Sequence, residues 1–249
     1  MKGIKGVVLA GGLGTRLAPL TRVTNKHLLP IYKKPMIYYP VEKLVKAGLR
    51  EIMIVTGGNY AGEFLKLLGN GKEFGLNEVH YTYQEGEGGI AEALRLTEHF
   101  VAGDRVCVIL GDNLFSGDIG GALQRFAKQP AGGKIFLQKV PDPQRFGCPK
   151  LDGDRVILIE EKPAKPKSDY CVTGIYMYDP EVFRIVRTLK PSGRGELEIT
   201  DVNNAYIEHG LMTYDVLDGW WTDAGTFESL LHASNLVAGA GAKPPAESD

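Results

Sequence analysis

Apolar positions in the first half of the chain follow two periods in turn. Short, nearly unbroken runs at 7–10, 51–56, 79–83 and 105–110 read as buried strands. Between them Met36, Ile37, Val41, Leu44 and Val45 recur at helical spacing, as do Phe64, Leu65 and Leu68, and further on Ile90, Leu94 and Phe100. Strands alternating with helices predict βα units, and hence an α/β fold with a mostly parallel sheet flanked by helices. The second half is more mixed, with strands at 134–140, 155–159 and 171–178 and helices near 180–188 and 198–209. No composition shift marks a linker, so residues 1–238 are expected to form one domain with a subregion inserted in its second half. Residues 239–249, rich in Gly, Ala and Pro, are expected to form a disordered tail.

In parallel sheets ligands bind beyond the carboxyl ends of the strands. Gly11 after Ala10, Gln84 after Tyr83 and Asp112 after Gly111 therefore share one rim. At the first of these positions an apolar strand empties into Gly11-Gly12-Leu13-Gly14-Thr15-Arg16-Leu17. Gly11, Gly12 and Gly14 allow positive φ, close approach to a ligand and successive N–H groups aimed at an anion, while Arg16 adds a fork of donors matched to phosphate oxygens. The loop is not the dinucleotide fingerprint, which needs a third glycine where Leu17 stands, and no Gly-Lys-Ser/Thr follows as in a P-loop. On the glycines alone a phosphate cradle and an ordinary strand-to-helix turn are both open; Thr15 and Arg16 favour the cradle.

Composition narrows the partners. Hydrophobic residues make up 43% and charged residues 24% of the 249 positions, which suits a core-forming globular protein. A formal net charge of −1 carries no polyanion-binding signature, so a nucleic acid polymer is not expected and any phosphate affinity is local. No apolar run approaches the ~20 residues of a membrane span, and the N-terminus leads directly into a strand instead of a signal-peptide core. Cys107, Cys148 and Cys171 are scattered without metal-ligand spacing. A reduced, cytoplasmic protein with structural cysteines is expected.

Several blocks then fall in a recognisable order. Leu9-Ala10-Gly11-Gly12-x-Gly14-Thr15-Arg16-Leu17 is followed by Lys26-x-Leu28-Leu29-Pro30, Lys34-Pro35-Met36-Ile37-Tyr38-Tyr39, Gln84, Gly88-Gly89-Ile90-Ala91-Glu92-Ala93 and Leu110-Gly111-Asp112-Asn113. Arg145-Phe146-Gly147, Glu160-Glu161-Lys162-Pro163, Val172-Thr173-Gly174-Ile175-Tyr176, the block 194–201 and Trp221-Thr222-Asp223-Ala224-Gly225-Thr226 complete the set. From about residue 3 to about residue 238 the chain resembles the sugar-1-phosphate nucleotidylyltransferases, and within them the branch that uses dTTP and glucose 1-phosphate. The resemblance implies a Rossmann-like fold with a nucleotide-binding half at about 1–130 and a sugar-binding half at about 131–238, and a homo-oligomer is expected. It also implies Mg²⁺-dependent transfer of dTMP to glucose 1-phosphate, giving dTDP-glucose for deoxysugar and cell-surface polysaccharide synthesis.

By the same resemblance Gly11, Gly12, Gly14, Thr15, Arg16, Lys26, Gln84, Gly89 and Asp112 would hold the nucleotide. Gly147, Glu161, Lys162 and Val172 would hold the sugar phosphate, and Asp112 and Asp223 the Mg²⁺. Arg16, Lys26, Asp112 and Lys162 would carry catalysis. Such chemistry needs little acid or base, because a phosphate monoester is already ionised near neutral pH; it needs positioning and cations against developing charge. Taken alone, Asp112 also reads as a capping or turn carboxylate, Lys26 as a surface charge, and Glu160-Glu161-Lys162 as a charged strand end. The Gln84 amide offers one acceptor and two donors, a match for the imide edge of thymine or uracil. Pro149 lacks an N–H and Cys171 replaces a commoner small residue, departures that bear on sugar selectivity and not on reaction class. A UTP-dependent or other hexose-1-phosphate transferase is the alternative, with a non-catalytic sugar-nucleotide sensor behind it. Asp112-Asn113-Leu114 is not the Asp-x-Asp of a glycosyltransferase.

Overall fold

The computed structural model describes residues 3–241. In chain order the strands are β1 (Ile4–Ala10), β2 (Pro30–Ile31), β3 (Lys34–Pro35), β4 (Glu51–Gly57), β5 (Glu78–Gln84), β6 (Arg105–Leu110), β7 (Asn113–Phe115), β8 (Gly133–Lys139), β9 (Gly147–Asp152), β10 (Arg155–Glu161), β11 (Tyr170–Tyr178), β12 (Met212–Val216) and β13 (Trp221–Asp223). The α-helices are α1 (Tyr38–Lys46), α2 (Ala61–Leu68), α3 (Ile90–Arg95), α4 (Glu98–Val101), α5 (Gly120–Lys128), α6 (Glu181–Thr188), α7 (Ile199–Glu208) and α8 (Phe227–Gly241). Seven strands form the central sheet in the order β12-β8-β11-β6-β1-β4-β5. All run one way except β11, which is antiparallel to both β6 and β8. The mixed sheet is mostly parallel, as the alternation of periods predicts, and Rossmann-like, as the family resemblance implies.

Each central strand is buried on both faces, which is why it reads as an unbroken apolar run. Val8, Ala10, Ile52, Ile54, Cys107 and Ile109 face α1, α2 and α5, whereas Val7, Leu9, Met53, Val55, Val106 and Val108 face α3, α6 and α7. The three cysteines are buried and free, and burial pushes the Cys107 and Cys171 thiols up to about 12. Among the described residues no helix is long and apolar enough to cross a membrane.

Prediction and structure part in the outer elements. The single helical pattern through Ile90, Leu94 and Phe100 is two short helices, α3 and α4. The Thr97 hydroxyl between them donates to the Leu94 carbonyl at 2.7 Å, a local bond that competes with helix continuation. Strands β7 and β13 span three residues each and carry no periodicity of their own. Helix α8 extends through 239–241, into the segment expected to be disordered; 242–249 lie outside the described residues. Earlier in α8, Ala233 packs in a third small core with Ile31, Met36, Leu114 and Ala224.

Two irregular features aim side chains at the carboxyl rim. Strands β9 and β10 form an antiparallel hairpin outside the main sheet, and β11 bulges between Val172 and Tyr176. At the bulge the Gly174 N–H donates to Asn113 Oδ1 at 2.8 Å, tying β11 to the segment after β6.

Candidate active site

Two clefts meet along the rim, with Arg16, Leu110, Asp112 and Glu196 in the walls of both. One, of about 290 Å³, is bounded by Gly11, Gly12, Lys26, Gln84 and Gly89. The other, of about 260 Å³, is bounded by Gly147, Glu161, Lys162, Val172 and Asp223.

Lys26 reaches the junction from a single 3-10 turn, Lys26–Leu28, which Asn25 caps by accepting the His27 N–H at 2.9 Å. The glycine loop closes against it: Gly14 has φ +68°, and a Cβ there would lie 2.8 Å from Lys26 Cβ. Only glycine satisfies both demands. Lys26 Nζ sits 2.6 Å from Asp112 Oδ2, and Asn113 Nδ2 donates to Asp112 Oδ1 at 3.0 Å. Burial works against the Asp112 carboxylate, but the Lys26 charge and these two hydrogen bonds outweigh it and hold the group well below the usual carboxylate range. Beside it His27 is buried with Nδ1 2.8 Å from Asn25 Oδ1; desolvation, then the Lys26 charge, push it down to about 3, so the ring is neutral.

Asp223 arrives from the other end of the chain. The antiparallel pairing of β13 with β7 places it opposite Asn113, and the Ala224 N–H donates to the Asp112 carbonyl at 2.9 Å. Burial and then the Asp112 carboxylate push Asp223 up, against the pull of Arg145 and Arg16. Arg145 lies 3.7 Å from Asp223 Oδ1 and donates to Asp142 Oδ2 at 2.8 Å. Among the described residues no group of three or more His, Cys, Asp or Glu is placed to hold a metal ion. A carboxylate pair completed by water and phosphate oxygens is how Mg²⁺ is usually held, and one carboxylate already burdened by its neighbour's charge fits a cation between them.

Gln84 is buried, and its Nε2 donates to the Gly89 carbonyl at 3.1 Å and to Glu92 Oε2 at 2.8 Å. Its two donors are therefore engaged inside the protein, which leaves the amide oxygen as the group free to accept. The reason is topological: Gln84 ends β5 where the chain turns back to start α3, so Gly89 and Glu92 come within reach.

In the second cleft Glu161 Oε2 accepts from the Thr200 hydroxyl at 2.7 Å, while Oε1 lies 3.7 Å from Lys162 Nζ and 3.8 Å from Arg194 Nη2. Gly147 faces Glu161 across the β9–β10 hairpin. Lys162 has φ +45° and its N–H donates to the Phe146 carbonyl at 3.0 Å. For a non-glycine residue that conformation costs about 1–3 kcal/mol, and such strain concentrates at ligand-contacting positions.

The structure thus brings together all the predicted residues except two. Gly14 and Thr15 line neither cleft; Gly14 shapes the loop, and Thr15, exposed, opens the 3-10 turn after it. Arg145, Arg194 and Glu196 enter the site without having been assigned a role. The density of charge in 194–198 was the available signal, and Arg145 stood beside Gly147 in a noted block. Trp221 packs edge-on against Phe146 with ring centroids 5.3 Å apart, and its Nε1 donates to Asn113 Oδ1 at 2.7 Å in the wall of the cleft.

A family profile described as nucleotidyl transferase matches residues 5–239. A glucose-1-phosphate thymidylyltransferase of Neisseria meningitidis serogroup A is 44% identical over 238 residues, 94% of this chain and 82% of the relative, and one of Mycolicibacterium smegmatis matches at the same identity and coverage. Among solved structures, a Bacillus anthracis chain assigned as a glucose-1-phosphate thymidylyltransferase, in complex with a sucrose, superposes with a TM-score of 0.90 at 53% identity over 94% of each chain. A UDP-glucose pyrophosphorylase complexed with UDP-glucose superposes with a TM-score of 0.82 at 25% identity, over 95% of this chain and 98% of that one. With the profile spanning residues 5–239 and relatives 44% identical over 94% of the chain, the chain belongs to the nucleotidyl transferase family and is a nucleotidyltransferase.

Proposed function

We propose that this chain transfers dTMP from dTTP to glucose 1-phosphate, releasing pyrophosphate and forming dTDP-glucose. The observation that carries the reading is the junction of the two clefts at Asp112 and Arg16, with phosphate-seeking groups on each side. The relatives' shared name supports the choice of nucleotide and sugar. The nucleotide side belongs to about 1–130 and the sugar side to about 131–238.

A phosphate oxygen of the sugar attacks the α-phosphorus in line; the bond from that phosphorus to the bridging oxygen breaks and pyrophosphate leaves with the electron pair. The glycine loop and Arg16 hold the triphosphate, and Lys26 sets its ammonium between that loop and Asp112. Lys162 meets the attacking phosphate, Glu161 reads sugar hydroxyls, and Gly147 and Val172 wall the sugar. Asp112 and Asp223 are the residues to hold Mg²⁺, which when bound supplies positive charge against the phosphates. Because catalysis here is charge stabilisation and alignment, the neutral His27 needs no role as acid or base.

The test is pyrophosphate release for each nucleoside triphosphate paired with each of several sugar 1-phosphates. dTTP and UTP should both serve, and the 5-methyl group by itself, read as dTTP over dUTP, should be worth roughly 10-fold to 200-fold. Efficient use of ATP or GTP would overturn the thymidylyl reading and leave nucleotidyl transfer standing.

A further inference from the structure

The Gly88-Gly89-Ile90-Ala91-Glu92 segment contains a carboxylate that the reaction does not use. Glu92 lies on α3, half-buried, with Oε2 2.8 Å from Gln84 Nε2. An amide side chain has two orientations of nearly equal shape that exchange its donors for its acceptor. Here the choice is forced, because both neighbours on that side, the Gly89 carbonyl and the Glu92 carboxylate, only accept. Turning the amide over would set its oxygen against two acceptors and lose both bonds. The oxygen is therefore left on the other side, against the backbone of Gly11, where a Cβ would come within 2.5 Å of it and where it has no hydrogen-bond partner among the described residues. Both Gln84 and Gly11 line the nucleotide cleft. Gly88 makes room for the carboxylate, since a Cβ there would lie 2.0 Å from Glu92 Oε2.

We propose that Glu92 is a positioning residue for base choice: by fixing the Gln84 amide, it presents an acceptor and no donor to the base. This deepens the dTTP reading above and rests on it. Thymine and uracil carry a ring N–H that such an oxygen accepts. Cytosine carries a lone pair at the same ring position and is repelled by it, although its size is the same. The turned amide would reverse that preference, and Glu92 supplies the charged acceptor that opposes the turn.

The test compares kcat/KM for dTTP and dCTP, each with glucose 1-phosphate and a divalent cation, so that base size is held nearly constant and loss of fold affects both substrates alike. In Glu92→Met, similar in length but without an acceptor, the dTTP to dCTP ratio should fall at least about 10-fold. Glu92→Gln can still accept from Gln84 but can also turn its own amide to donate, leaving the Gly89 carbonyl as the neighbour that only accepts, and should lower the ratio by clearly less than Glu92→Met. Gly88→Ala displaces the carboxylate by a separate route and should lower the ratio as the Met variant does. An unchanged ratio in Glu92→Met and Gly88→Ala overturns the role of Glu92 while the dTTP reading stands. An equal fall in Glu92→Gln overturns it as well, because disturbing α3 would then suffice. Absence of any dTTP preference in the unaltered protein would instead be a failure of the dTTP reading itself.

Discussion

The two clefts share a wall but are built on opposite plans. The cleft proposed for the nucleotide hangs from the ends of β1, β5 and β6, three strands of the parallel part of the sheet, and its central charges form one short pair, Lys26 and Asp112, only 13% and 15% exposed. The sugar cleft is assembled from a hairpin, a bulged antiparallel strand and α7, and its charges form an open mesh. Arg194, 44% exposed, alone lies within 4 Å of Glu161, Glu196 and Glu198. A water-poor pair loses little to screening, whereas an open mesh shares its load and tolerates the loss of any one strand of it. One cleft is suited to stabilising charge that develops during reaction, the other to recognising a neutral ring of hydroxyls beside a single phosphate.

This contrast sets an order of effects. Asp112→Asn and Asp223→Asn should each lower kcat by at least ~10²-fold, the scale of losing one charge-stabilising group, measured in steady state while the divalent cation is titrated. Full activity of both variants in chelator-treated buffer would remove the metal assignment. The same buried pair predicts a pH effect on stability: with its folded value below the ordinary 3.8, Asp112 contributes fully above that pH and loses its contribution as pH falls through the lower value. Urea midpoints of the protein and Asp112→Asn should therefore converge in acid.

Next in size, Lys162→Ala should raise KM for glucose 1-phosphate by about 10-fold to 100-fold, with KM for dTTP little changed, as expected for one charge-assisted contact to a phosphate. A shift confined to dTTP would show that the phosphate sites are exchanged. Thr200→Val removes the hydroxyl that donates to Glu161 and should raise the same KM by only about 5-fold, because Lys162 and Arg194 still border that carboxylate. If this change cost as much as losing Asp112, the open mesh would not share its load. Smallest of all, Arg187→Ala breaks a pair with Glu98 that is 53% and 43% exposed and remote from both clefts, and should change stability by less than about 1 kcal/mol and kcat not at all.

Legibility differs between the clefts in the same sense. Gly11 and Asp112 follow the apolar strands β1 and β6, and Gln84 closes β5, so the rule for carboxyl ends puts all three on one rim. Lys162 and Glu161 stood at the end of a predicted strand, but nothing local tied them to Thr200 or Arg194. The hairpin partner β9 was not recognised, since Gly147-Cys148-Pro149-Lys150 offers neither an apolar run nor clean alternation. Gln84 was assigned correctly to the rim, yet its amide was expected to offer donors as well as an acceptor; Glu92, eight residues on, removes them.

What the sequence determined by itself is the parallel half of the sheet, the glycine turn and the family pattern, because strand periods and turn chemistry act over a few residues and leave their mark in the chain. What only the tertiary structure decided is convergence. Asp223 reaches Asp112 through the register of β13 on β7, three residues each, and Glu161 reaches Thr200 through the packing of α7 on the hairpin. Those pairings are set by the sum of many weak contacts in the cores on either side of the sheet, and no short stretch of sequence holds enough of that sum to reveal them.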